Sequence, residues 1–177
     1  MKRILILLTL ISFYSNKTKA QMPEWMFSAG AGFTTLTADG ESVSLPWASF
    51  TPRLNFKEFS NGTSTLSLSA PLALGAQFNS REGGYAILEL PVFVQYNGGF
   101  AANKSTTEGF GYYGGVGFST LLVSELGALY GPSVSGGVRF IARGAAIELK
   151  ASYTKDISDN QINSFSLGAS YIFGIDL

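Results

Sequence analysis

Hydrophobic and polar residues alternate with a period of two along much of this chain. Over residues 164–177, Phe165, Leu167, Ala169, Tyr171, Phe173, Ile175 and Leu177 share one phase. Ser164, Ser166, Gly168, Ser170, Gly174 and Asp176 hold the other, with Ile172 the one apolar residue out of place. Such alternation predicts a strand with one apolar and one polar face. Seven further stretches repeat it, at 25–36, 47–57, 64–75, 84–96, 109–118, 132–142 and 146–153. Asn61-Gly62 marks a hairpin turn, since both residues accept positive φ, and a tight turn at Arg143-Gly144 joins two later stretches. Eight strands joined in sequence predict an all-β, eight-stranded antiparallel up-and-down transmembrane β-barrel.

The charged residues sort by phase. Arg53, Lys57, Glu89, Arg139, Glu148, Lys150 and Asp176 fall on the polar phase, together with Gln95, and none falls on the apolar one. A charge on a lipid-facing strand position costs about 2–4 kcal/mol for Arg or Lys at the bilayer midplane, so a membrane barrel must segregate charge in this way. A soluble barrel with an apolar interior shows the same split with the faces exchanged, so composition decides. The polar phase is mostly Gly, Ser and Thr, and charged residues are only 14% of the chain. That is lean for a water-facing coat, normally about 25–35% charged, and suits a crowded lumen. The expected lumen network is Arg53, Lys57, Glu89, Gln95, Arg139, Glu148 and Lys150. It either plugs the barrel or lines a narrow solute path, and the small interior of eight strands favours the plug. Trp25, Trp47, Tyr85, Tyr96, Tyr112, Tyr130, Tyr153 and Tyr171 are expected at the interfaces as aromatic girdles.

Three features fit this pattern poorly. Pro52, Pro71 and Pro91 lie within strands, where a missing N–H interrupts the ladder. The connection from Asn97 to Glu108 is long for the side on which both chain ends would lie. Leu121, Leu122, Val123 and Leu126 are apolar in an expected outer loop.

The N-terminus reads as a signal peptide over residues 1–20. Lys2 and Arg3 precede an apolar run from Ile4 to Tyr14, and small residues stand before a cleavage point at Ala20. The run is shorter than the roughly 20 residues a membrane helix needs. Residues 21–177 then form the barrel domain, carrying eight basic and twelve acidic residues, a balance that argues against nucleic-acid binding. The chain has no Cys and no His, which removes disulfides, Cys and Ser–His nucleophiles and His-containing metal sites. No carboxylate pair stands out for acid–base work. The expectation is a protein without catalytic residues, cofactor or metal, hence not an enzyme.

Two motifs have plainer explanations than ligand binding. Gly109-x-Gly111-x-x-Gly114 matches a dinucleotide fingerprint by letter but lies in a strand pattern with no helix following. Asp156, Asp159 and Asn160 offer oxygen ligands without the spacing of a calcium loop.

The end of the signal at Lys19-Ala20-Gln21, the segment from Leu88 to Asn97, the glycine-aromatic run 109–117 and the last stretch resemble the small outer-membrane β-barrel family of Bacteroidetes, related in architecture to OmpA and OmpX. The resemblance implies an outer-membrane location, with membrane lipid and the barrel assembly machinery as partners. It implies a structural or surface-interaction role, with any surface ligand unspecified. Outward loops centred on Asp39 to Glu41, Asn79 to Glu82 and Asp156 to Gln161 would carry recognition. The alternatives are a soluble lipocalin-like barrel for a small apolar ligand and a narrow pore for small solutes.

Overall fold

A computed structural model describes residues 23–38, 41–59, 62–79, 83–106, 109–124, 127–158 and 162–175. The expected signal peptide lies outside the described residues, as do Asp39, Gly40, Asn61, Ser80, Arg81, Glu82, Leu126, Asp159, Asn160, Gln161 and Asp176.

The alternating stretches form strands β1 (Glu24–Ala38), β2 (Glu41–Phe59), β3 (Ser64–Ser69), β4 (Leu72–Asn79), β5 (Gly83–Gly99), β6 (Phe110–Val123), β7 (Gly127–Ala142), β8 (Ala145–Thr154) and β9 (Asn163–Phe173). Every pairing is antiparallel, and the one between β1 and β9 closes the sheet into a ring. Both β3 and β4 sit between β2 and β5, so they are one strand of the ring interrupted at Ala70 and Pro71. The ring is therefore an eight-stranded up-and-down barrel.

That interruption accounts for the prolines. β2 pairs Arg53 with Ser69 and Phe50 with Leu72, which sets Pro52 opposite the gap. β5 pairs Phe93 with Ser69 and Glu89 with Ala73, which sets Pro91 opposite it from the other side. Three residues without an N–H are thus aligned across three adjacent strands. The ladder is broken once rather than three times. Across the gap, the Ala70 amide donates to the Pro52 carbonyl at 3.1 Å.

Strand borders differ from the sequence expectation around residues 119–127. Leu121, Leu122 and Val123 continue β6 rather than forming an outer loop. Leu121 and Val123 point inward and Leu122 outward. At Arg143-Gly144 both residues have positive φ (53° and 79°), which a two-residue β7–β8 hairpin of this twist requires.

Sidedness follows the pleat. Phe27, Phe33, Phe50, Leu90, Val92, Val94, Phe110, Val116, Phe118, Val134, Leu149, Phe165 and Phe173 are exposed on the outside, while Ser49, Thr51, Arg53, Glu89, Gln95, Ser133, Arg139, Glu148 and Ser170 are buried within. The extremes are Val116 at 66% exposure and Arg139 at 1%. Inside, polar groups occupy the middle and apolar clusters the two ends. Near the β1–β2 hairpin, Leu36, Leu45, Ile87, Leu121, Val123, Leu129 and Ile162 pack together. At the end where β1 begins and β9 finishes (the terminal end), Met26, Phe100, Ala101, Ala146 and Ile172 pack together. Ile172 is out of phase because it belongs to this terminal cluster.

Candidate functional site

The interior is built from the inward phase of every strand. Arg139 on β7 faces its register partner Glu148 on β8, and its Nε donates to Glu148 Oε2 at 2.7 Å. Its guanidinium lies over the Tyr113 ring, 4.4 Å from the centroid, and Nη1 donates to Asn97 Oδ1 at 2.9 Å. Arg53 on β2 reaches the same Asn97 Oδ1 at 3.1 Å. Asn97 in turn donates to Ser67 Oγ at 2.9 Å. One amide oxygen on β5 therefore binds two guanidinium groups.

Further toward the hairpin end, Lys150 donates to Ser49 Oγ at 2.9 Å and lies 4.9 Å from the Trp47 ring centroid. Glu89 accepts from Thr34 and Ser166 hydroxyls at 3.5 Å each, and those hydroxyls bond each other at 2.7 Å. Gln95 donates to Ser135 at 3.3 Å. A cavity of about 60 Å³ remains among these groups, lined by Arg53, Glu89, Gln95, Arg139, Glu148 and Lys150 among others. It has room for a few waters. Arg53, Glu89, Gln95, Arg139 and Glu148 are thus brought together as buried groups, with Lys150 half-buried beside them.

Lys57 is not part of this set. The β2–β3 register shifts between Asn55 and Lys57, so the bulge turns both Phe56 and Lys57 outward. The Lys57 ammonium sits over the Phe59 ring instead, 4.9 Å from its centroid. Trp47 departs from its expected girdle position too. It lies on the inward phase of β2 and is buried, its ring spread across Gly32 and Gly168 on neighbouring strands. A Cβ at Gly32 would come within 2.5 Å of the indole, so the glycines make the space it occupies. Tyr85 packs against the hairpin-end apolar cluster, whereas Trp25, Tyr96, Tyr112, Tyr130, Tyr153 and Tyr171 are exposed on the outside. The sequence reading missed Asn97 and Tyr113 as network members, although both lie on the phase of Gln95 and Arg139.

The two discounted motifs have structural roles. Gly111 sits under the backbone of Phe100, where any Cβ would collide with the Phe100 carbonyl and amide. Asp156, beyond β8, organises its own loop. Its carboxylate accepts from the Tyr130 amide (3.1 Å), the Ser158 amide (3.0 Å) and hydroxyl (2.6 Å), and the Ile162 amide (3.2 Å). Burial opposes its ionisation, but the Ser158 bonds and those from Tyr130 and Ile162 outweigh it and hold the carboxyl below the usual aspartate range.

These features define an eight-stranded up-and-down barrel with an apolar exterior and a polar, hydrogen-bonded middle. Crystal structures of similar fold include Neisserial surface protein A (12% identity, TM-score 0.64, covering 86% of this chain and 98% of that one). They also include Ail, the attachment invasion locus protein of Yersinia pestis (17% identity, TM-score 0.54, covering 86% and 100%). At such identities the likeness concerns the fold. No protein-family model matches the chain, and no curated protein does. The expectation that the chain is not an enzyme does not stand, because a barrel fold alone does not settle activity. The outer membrane enzyme PagL also aligns with this chain (13% identity, TM-score 0.49, covering 85% and 99%). The missing His and Cys exclude only the chemistry that needs them.

Proposed function

We propose that this chain is an integral outer-membrane barrel with a structural or surface-interaction role, its lumen filled by Arg53, Glu89, Gln95, Arg139, Glu148 and Lys150. The observation that carries this reading is the sidedness of the sheet: Arg139 is 1% exposed while Val116, Phe110 and Val134 are 66%, 57% and 52% exposed. A barrel dissolved in water buries its apolar face, so the soluble lipocalin-like reading requires the reverse arrangement.

The height of the apolar exterior supports the same reading. Along β1 it runs from Trp25 to Phe33. At about 3.4 Å per residue and a strand tilt near 40°, that is about 20 Å along the barrel axis, close to the roughly 25 Å apolar band of such barrels. Trp25, Phe27 and Phe50 stack at the terminal end, with ring centroids 6.2 and 5.8 Å apart, which suits an interfacial aromatic cluster. Membrane lipid and the barrel assembly machinery are the partners this reading entails. The apolar clusters at both ends of the interior weigh against a conducting path.

Refolding the chain from Gln21 onward with and without detergent micelles tests the proposal. Folding only with micelles, with heat-modifiable migration on a gel and sedimentation with outer membranes, is expected. A chain that folds in plain buffer, or that is recovered from the soluble periplasm, overturns it.

A further inference from the structure

We propose that the turn between β5 and β6, residues 99–106, is a built stopper that closes the terminal mouth of the barrel, with Arg53 and Arg139 as the groups that hold it. A connection between neighbouring strands needs only a few residues. This one instead folds back into the lumen. Phe100, Ala101 and Ala102 are each 0% exposed, and Asn103 and Thr106 are buried as well. A surface loop would leave such residues in water.

The contacts are specific at each step. The Ala101 carbonyl accepts from Arg53 Nη2 at 2.5 Å and from Arg139 Nη1 at 3.3 Å. The Ala102 carbonyl accepts from Asn55 Nδ2 and from Thr65 Oγ1, both at 2.9 Å. Asn103 donates to the Gly62 carbonyl at 2.9 Å, and the Lys104 amide donates to Glu24 Oε2 at 3.2 Å. At the two ends of the turn, the Gly99 and Phe100 amides each donate at 2.9 Å, to the Thr63 and Phe110 carbonyls. Strands β1, β2, β3, β6 and β7 all contribute, so the turn is fastened most of the way around the mouth.

Two observations mark this as construction rather than collapse. Ala101 adopts φ 56°, a left-handed conformation that residues with a Cβ rarely take, and its carbonyl meets the two guanidinium groups. Gly111 lies where the Phe100 backbone crosses β6, and no side chain fits there. The buried guanidinium groups also need acceptors. Glu148 serves Arg139 at Nε and Asn97 serves both arginines, while the turn supplies a further shared oxygen. An unpaired buried donor is costly, so turn and arginines stabilise one another. The inference concerns the interior and holds whether or not the exterior meets lipid.

Because the chain has no Cys, single introduced thiols report on access without background. Ser69→Cys lies on the cavity side of the stopper and Ala102→Cys lies in it. In the otherwise native folded barrel, both thiols should react with a small water-soluble methanethiosulfonate reagent at least about tenfold more slowly than in the urea-unfolded chain. Adding Gly111→Val, or replacing residues 100–108 with an Asn-Gly turn, should raise the Ser69→Cys rate about tenfold while heat-modifiable migration persists. The second change keeps the test alive if the first prevents folding. Fast labelling of Ala102→Cys in the native background overturns the proposal. So does unchanged protection of Ser69→Cys in a folded barrel lacking the turn. Folding without detergent would count against membrane insertion and leave this labelling comparison intact.

Discussion

The middle of the barrel and its hairpin end are made from the same strands, yet their polarity is opposite. In the middle, Arg139 and Glu148 are inside and Val116 and Leu149 outside. At the hairpin end Leu36, Leu45, Leu121, Val123 and Leu129 are inside. There Thr35 and Ser44, and Thr37 and Ser42, form hydroxyl pairs across the outer face of β1–β2 at 2.8 and 3.1 Å. On β1 the exchange takes two residues: Phe33 is out and Thr34 in, then Thr35 turns out and Leu36 in. The pleat is unbroken through the change. What differs is the solvent each level is built for, with the middle suited to hydrocarbon and the hairpin end to water. A barrel designed for one solvent would keep one arrangement throughout.

The largest effect is expected where a charge is sealed inside. Glu148→Ala leaves Arg139 without its carboxylate and should cost about 3–5 kcal/mol in urea unfolding of the micelle-bound barrel. Arg139→Met with Glu148→Leu should recover part of that loss, because a removed pair leaves no orphan charge. Recovery would stay incomplete, since Arg139 also holds Asn97 and Ala101. At the hairpin end the corresponding weak point is apolar. Leu45 is 0% exposed, and Leu45→Ala should cost about 2–5 kcal/mol in the same assay. A smaller but more discriminating pair probes the outside. Val116→Arg should cost about 2–4 kcal/mol in lipid vesicles if it lies near the midplane, whereas Thr37→Arg should stay within about 0.5 kcal/mol. Equal, small effects at both positions would erase the contrast between the levels.

The polar phase of the middle was legible in the alternation itself, whereas the exchange at the hairpin end was not, and Leu121 and Val123 looked misplaced. The inward phase of Arg53, Glu89, Gln95, Arg139, Glu148 and Lys150 follows from counting by twos, and the structure sets Asn97 and Tyr113 on the same phases. Counting fails where the chain departs from a regular pleat. Lys57 is displaced by a bulge at Phe56 that a single strand cannot reveal, because a bulge is a relation between two strands. Trp47 looked like an interfacial aromatic because nothing near it in the chain announces Gly32 and Gly168, which make its space from two other strands. The inward fold of residues 99–106 depends on acceptors and donors from five strands. Its length was visible in the chain, and its destination was not. The three prolines looked like defects singly and become one only when register aligns them.

The smallest expected effect concerns Asp156, in the one loop at the hairpin end whose internal bonds are described. Its carboxylate gathers three backbone amides and a hydroxyl, so Asp156→Ala should loosen the β8–β9 connection at a cost of about 1 kcal/mol. The pH dependence has a definite sign. A carboxyl held below its unfolded value of 3.8 contributes stability that is complete above that pH and is lost as pH falls through the lower folded value. Proteolytic nicking or amide exchange at Ser158 and Ile162 should therefore be slow at neutral pH and quicken below about pH 4, with the alanine variant insensitive over the same range. The amides in the middle of the barrel should open independently of that loop. If they opened together with those of the Asp156 loop, the two levels would be one cooperative unit and the contrast between them would be of composition alone.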